Sequence, residues 1–177
     1  MKAIAAAIGI LALVSTSALA QSPYAGMQTR SIKALSAQQI DDLKAARGMG
    51  LALAAELNGY PGPSHVLELS DRLALSAEQK QRIQSLFDSM KAEATPIGAR
   101  LLEQEGALDR QFASRSMTSD ALQDATTKIG LTQAELRNAH LKYHLETARI
   151  LSPDQMKQYA DARGYTLDAP ARHHRMH

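Results

Sequence analysis

The sequence predicts an all-α chain, and three observations carry that prediction. Apolar residues recur at steps of three and four almost throughout, which is the spacing of a helix face and not the alternation of a strand. Aromatic residues make up only 4% of the chain and β-branched residues are sparse, whereas Ala and Leu abound, so little of the sequence suits a pleated surface. A helix-start pattern, Leu-Ser-x-x-Gln, occurs three times, beginning at Leu35, Leu75 and Leu151.

Taken in order, the first segment is a basic start at Lys2, an apolar run from Ala3 to Val14 and small residues closing on Ala18-Leu19-Ala20. That run is too short for a good membrane span, and with the A-x-A site it describes a cleavable secretory signal over 1–20. The expected mature chain begins at Gln21 in the periplasm, with no later span. It retains 19 Lys and Arg against 18 Asp and Glu once Lys2 has left. So balanced a charge excludes the clustered basic excess that nucleic-acid binding requires. With no cysteine in the chain, disulfides and thiolate ligands are excluded as well, and any metal has to be held by His, Met or carboxylate.

Residues 21–34 read as a flexible lead-in to one helical domain over 35–165, followed by a disordered, His-rich tail over 166–177. Gly59-Tyr60-Pro61-Gly62-Pro63 is the strong breaker within the domain. Beyond it the pattern gives a short helix near 64–73, a long one near 77–114, a second long one near 119–149 and a short one near 153–163. The first long segment carries Ile83, Phe87, Met90, Ala94, Ile97, Leu101, Leu108 and Phe112, and the second carries Leu122, Ile129, Leu136, Tyr143 and Ile150 at steps of seven. Two such stripes joined by the polar stretch 114–119 predict a long antiparallel helical hairpin. Pro96 inside the first arm removes one amide donor and predicts a bend. A lone hairpin leaves an apolar face over, to be covered by a second copy or by the unusually apolar run 49–58.

In each Leu-Ser-x-x-Gln copy the serine caps the helix, the glutamine reaches back to the serine amide, and the leucine staples against the next turn, with Ile40 or Met156 as partner in two copies. The first and last copies extend to Ala-Arg-Gly, at Gly48 and Gly164, and predict helices that terminate on those glycines.

With this motif repeated before its helices, a chain that is exported, helical and free of cysteine resembles the Spy/CpxP superfamily and its relatives of the ZraP and CnrX type. The resemblance runs from about Leu35 to Tyr165. It implies a long bent hairpin with short flanking helices, usually dimerised into a shallow cradle. It also implies one of three activities: ATP-independent chaperone, partner of a membrane stress-signalling protein, or periplasmic metal binder.

His140 and His144 stand four apart, so both rings leave one face of the second long helix, a geometry suited to two ligands of one zinc, nickel, cobalt or copper ion. Antiparallel pairing about a loop near residue 116 brings Glu93 opposite His140 and makes it the expected third ligand, with Met90 a weaker alternative or simply core. In the metal-sensing relatives such a pair is joined by a carboxylate and by two histidines of a preceding short helix. His65 matches the first of these, while Leu69 stands where the second is expected.

Enzymatic readings fail on particular residues. A zinc peptidase helix needs Glu directly after its first His, where this chain has Leu141, and a di-iron bundle needs Glu three residues before each His, where it has Arg137 and Leu141. No organic-cofactor motif is present. The alternative to metal binding is an ATP-independent chaperone without a specific metal site, holding unfolded periplasmic proteins on a concave apolar face rimmed by Arg72, Arg82, Lys91, Arg100, Arg110 and Arg115.

Overall fold

A computed structural model describes residues 23–165. The expected signal segment and the His-rich tail lie outside these residues. Six α-helices are present and no strand occurs among the described residues, as the apolar spacing predicts. They are α1 (Ala37–Lys44), α2 (Leu53–Glu56), α3 (Pro63–Glu68), α4 (Ala77–Ala113), α5 (Ser119–Ala148) and α6 (Pro153–Arg163). None is long and apolar enough to cross a membrane.

All three Leu-Ser-x-x-Gln copies form reciprocal capping boxes: Ser36 with Gln39, Ser76 with Gln79 and Ser152 with Gln155. In the second and third copies the glutamines do something further. Each amide donates to the other's Oε1, at 2.8 and 3.0 Å, while Gln79 also donates to the Ile150 carbonyl and Gln155 to the Leu73 carbonyl. Two helix starts more than 70 residues apart are thereby locked to each other, so the motif is a tertiary device as well as a local one.

The terminating glycines behave differently from one another. Gly164 adopts the left-handed conformation that ends α6, as expected. At the other copy α1 stops at Lys44, four residues short of Gly48, and Ala46 takes the positive φ instead. Ala46 is buried in the main core, where a small side chain fits against α4 and α5, and burial there outweighs the left-handed strain. Residues 23–34, expected as a flexible lead-in, contain a 3₁₀ turn at Met27–Thr29. They contact α4 through an ion pair from Lys33 Nζ to Asp109 at 3.0 Å.

The long arms α4 and α5 are antiparallel. Glu93 bonds Lys142 and Arg100 bonds Glu135, seven residues on along one arm and seven back along the other. Helix α4 runs without interruption through Pro96, which lacks the amide that would have bonded the Ala92 carbonyl. Two apolar clusters flank the middle of the arms. One joins Leu43 and Ala46 to Ala94, Leu101, Ile129, Leu136 and Ala139. The other joins Val66, Leu73 and Leu75 to Ile83, Leu151 and Tyr159, with Met156 packed against it.

Gly98 sets the contact between α1 and α4. A Cβ there would sit 2.5 Å from the Leu43 carbonyl oxygen, which is backbone and cannot swing aside. Gly98→Ala is therefore expected to lose about 1–3 kcal/mol despite its better helix propensity, because α1 has to move. Gly130→Ala, in α5 with open space around it, is expected to gain about 0.5–1 kcal/mol. Urea melts of the two variants check the contrast; equal stabilities would contradict the close α1–α4 approach.

Candidate functional site

Between the two apolar clusters lies a cavity of about 250 Å³ lined by Glu56, Gly62, His65, Met90, His140 and His144, with Met49 also in its wall. Its back is built by the breaker sequence. Gly59 takes a φ of +83°, Pro61 and Pro63 are fully buried, and the intervening chain turns two backbone groups inward. The Tyr60 carbonyl accepts from His144 Nδ1 at 2.7 Å, and the Gly62 amide donates to Glu56 Oε2 at 3.1 Å. Gly62 has to be glycine for the ring of His144 to come this near: a Cβ would lie 2.9 Å from its Cε1 and 3.0 Å from its Nε2.

Glu56, at the end of α2, organises the region. It is 5% exposed and receives Gly62, His65 Nδ1 at 3.3 Å, the Tyr159 hydroxyl and the Tyr165 hydroxyl at 3.3 Å, with Arg163 at 3.8 Å and His144 Nδ1 at 3.6 Å. Burial alone would raise its pKa, but the hydrogen bonds from His65 and Tyr159, the charge of His65 and the Gly62 amide outweigh burial and hold it at about 2. Tyr159 is pushed the other way, first by burial and then by the carboxylate it serves.

These contacts fix how the imidazoles present themselves. A carbonyl and a carboxylate can only accept, so Nδ1 of His144 and of His65 carries the proton, and in the neutral ring Nε2 is left as a lone pair. His140 is 3% exposed, and its Nε2 is buried with no hydrogen-bond partner. Burial, and then the neighbouring His144, push its pKa below the ordinary histidine value, which favours the neutral, metal-competent ring. Buried polar nitrogens are nearly always satisfied, and among the described residues this Nε2 shares its orphan state only with Oε1 of Gln104 and Gln111, which are not in the cavity wall.

The structure thus brings His140, His144 and His65 to one cavity and leaves Glu93 out of it. Glu93 reaches the expected level of α5 but meets a different flank, accepting from Lys142 Nζ at 2.7 Å and from the Tyr143 hydroxyl at 3.1 Å. The Lys142 bond, more than the opposing burial, holds its pKa low. Register fixed which residues lie at one height; it left open which face of α4 and α5 each presents. The carboxylate at the cavity is Glu56, which sequence reasoning missed. Its signal was there, as the only acid in the apolar run from Met49 to Leu57. Among the described residues no three histidines or carboxylates converge as a ready-made metal cluster.

Fold and site together define a helical-hairpin protein with a half-open, imidazole-lined cavity braced by one buried carboxylate. No family model, no curated protein and no solved structure matches the chain.

Proposed function

We propose that this is an exported, periplasmic stress-response protein that binds a transition metal ion, of the zinc, nickel, cobalt or copper kind, in the cavity between α3, α4 and α5. The observation that carries the reading is the partnerless Nε2 of buried His140, in a wall shared with His144 and His65. His140 and His144 are the principal ligands, and His65 lines the same cavity, with Glu56 and the Tyr60 carbonyl orienting the rings of His65 and His144 through Nδ1. Glu93, engaged by Lys142 and Tyr143, is not a ligand in this reading. The protein is a binder and not an enzyme, in keeping with the Spy/CpxP resemblance of its capping motifs.

Calorimetric titration of the mature chain, with tail residues His173, His174 and His177 changed to alanine, tests the proposal. Micromolar or tighter stoichiometric binding is expected, and it disappears in the His140→Ala, His144→Ala double variant. Binding unchanged by those two substitutions would overturn it.

A chaperone reading is favoured by a separate observation. Phe112 and Leu131 on the hairpin are 55% and 62% exposed, and Leu53 and Leu57 are also open to solvent. Large apolar side chains left open in this way suit either a second copy of the chain, giving the homodimeric cradle, or weak capture of unfolded proteins. Slowed aggregation of an unrelated client, retained in the double histidine variant, is the outcome this reading expects.

A further inference from the structure

We propose that the cavity's preferred ion is copper in its monovalent state, with the Met90 thioether as a ligand beside His140 and His144. The inference rests on the metal-binding reading and narrows it from the donors that remain available. Both nearby carboxylates are engaged. Glu56 already receives two tyrosine hydroxyls, a backbone amide and His65, and Glu93 is tied to Lys142 and Tyr143. No set of three histidines or carboxylates converges among the described residues, so an ion that wants several hard oxygen or nitrogen ligands is poorly served.

What the cavity does offer is imidazole nitrogen and thioether sulfur. Met90 is 7% exposed and lines the cavity, yet it belongs to neither apolar cluster. Its neighbours along the buried face of α4 divide between them, Ile83 in one and Ala94 and Leu101 in the other. It shares the wall of the cavity with His140 and His144. Two nitrogens and a thioether form a soft donor set of low coordination number, and soft thioether donors select copper(I) over zinc, nickel or cobalt.

The test uses the mature full-length chain, with copper(I) supplied anaerobically against a competing chelator and zinc(II) titrated separately. Met90→Leu keeps the volume of the side chain and removes the sulfur. It is expected to weaken copper(I) binding at least tenfold while leaving zinc(II) affinity within twofold. Copper-edge X-ray absorption of the unsubstituted protein is expected to show a sulfur neighbour that vanishes in Met90→Leu, and this measurement on the unsubstituted protein stands even where the variant folds poorly. Copper(I) affinity unchanged in Met90→Leu, a sulfur neighbour that persists there, or nitrogen and oxygen neighbours alone in the unsubstituted protein would each overturn the assignment. If His140→Ala and His144→Ala abolish zinc(II) binding while Met90→Leu leaves copper(I) untouched, this inference fails and the metal reading stands. If the histidine substitutions also change nothing, the metal reading fails with it.

Discussion

Replacing Glu56 with alanine is expected to destabilise the protein by about 3–5 kcal/mol, because it strands several buried donors at once. The Gly62 amide, the Tyr159 hydroxyl and His65 Nδ1 all lose their acceptor, and the link from α2 and α3 to α6 goes with them. Glu56→Gln keeps the shape and one acceptor oxygen, so its loss is expected to be smaller but to remove an acid dependence. The folded pKa of about 2 lies below the unfolded value of 4.5, so this group's contribution is fully present above pH 4.5 and is lost as pH falls toward 2. A depression of that size corresponds to about 3 kcal/mol. Urea unfolding followed by circular dichroism between pH 2 and 7 checks both statements. A Glu56→Ala loss below about 1 kcal/mol, or equal acid sensitivity in Glu56→Gln, would show that the carboxylate does not organise this region.

The second large effect separates stability from binding at a single position. His140→Leu is expected to reduce metal affinity at least 100-fold, about 2.7 kcal/mol, while leaving folding stability unchanged or slightly raised. His140 Nε2 has no partner to lose, and replacing an unsatisfied buried nitrogen with carbon removes a desolvation penalty. His144→Leu is the contrasting case: it strands the Tyr60 carbonyl, so it is expected to cost about 1–3 kcal/mol of stability as well as binding. Paired metal titrations and urea melts of the two variants check the difference. A His140→Leu variant as unstable as His144→Leu would mean that His140 is a structural residue.

Much of the fold was legible because its signals are local. A serine followed three residues later by glutamine closes a capping box within one turn, and all three copies did so. The seven-residue steps of the second arm likewise predict the hairpin without knowledge of anything distant. What stayed illegible was decided by tertiary packing. The end of α1 depends on Ala46 fitting a core made by α4 and α5, which outweighs the glycine two residues later. The second role of Gln79 and Gln155 depends on two helix starts meeting in space.

The site divides the same way. His140 and His144 were visible as a pair because four residues return a helix to the same face. Glu93 was expected beside them on register, yet rotation of the arms turned it toward Lys142 and Tyr143. Glu56 makes its contacts with α5, with α6 and with Tyr165 just beyond it across 88 to 109 residues of chain, and only its place as the one acid in an apolar run hinted at them.

The central claim is that His140 Nε2 is a ligand position in a cavity shared with His144 and His65, and imidazole nitrogen NMR tests it most directly. Long-range ¹H–¹⁵N spectra of the mature protein, recorded before and after one equivalent of zinc(II), report on each nitrogen separately. The account predicts that Nδ1 of His65 and His144 carries a proton before addition and keeps it. It also predicts that Nε2 of His140 and His144 shifts to the metal-bound range. Unmoved Nε2 resonances for both, with the change confined to the tail histidines, would contradict it.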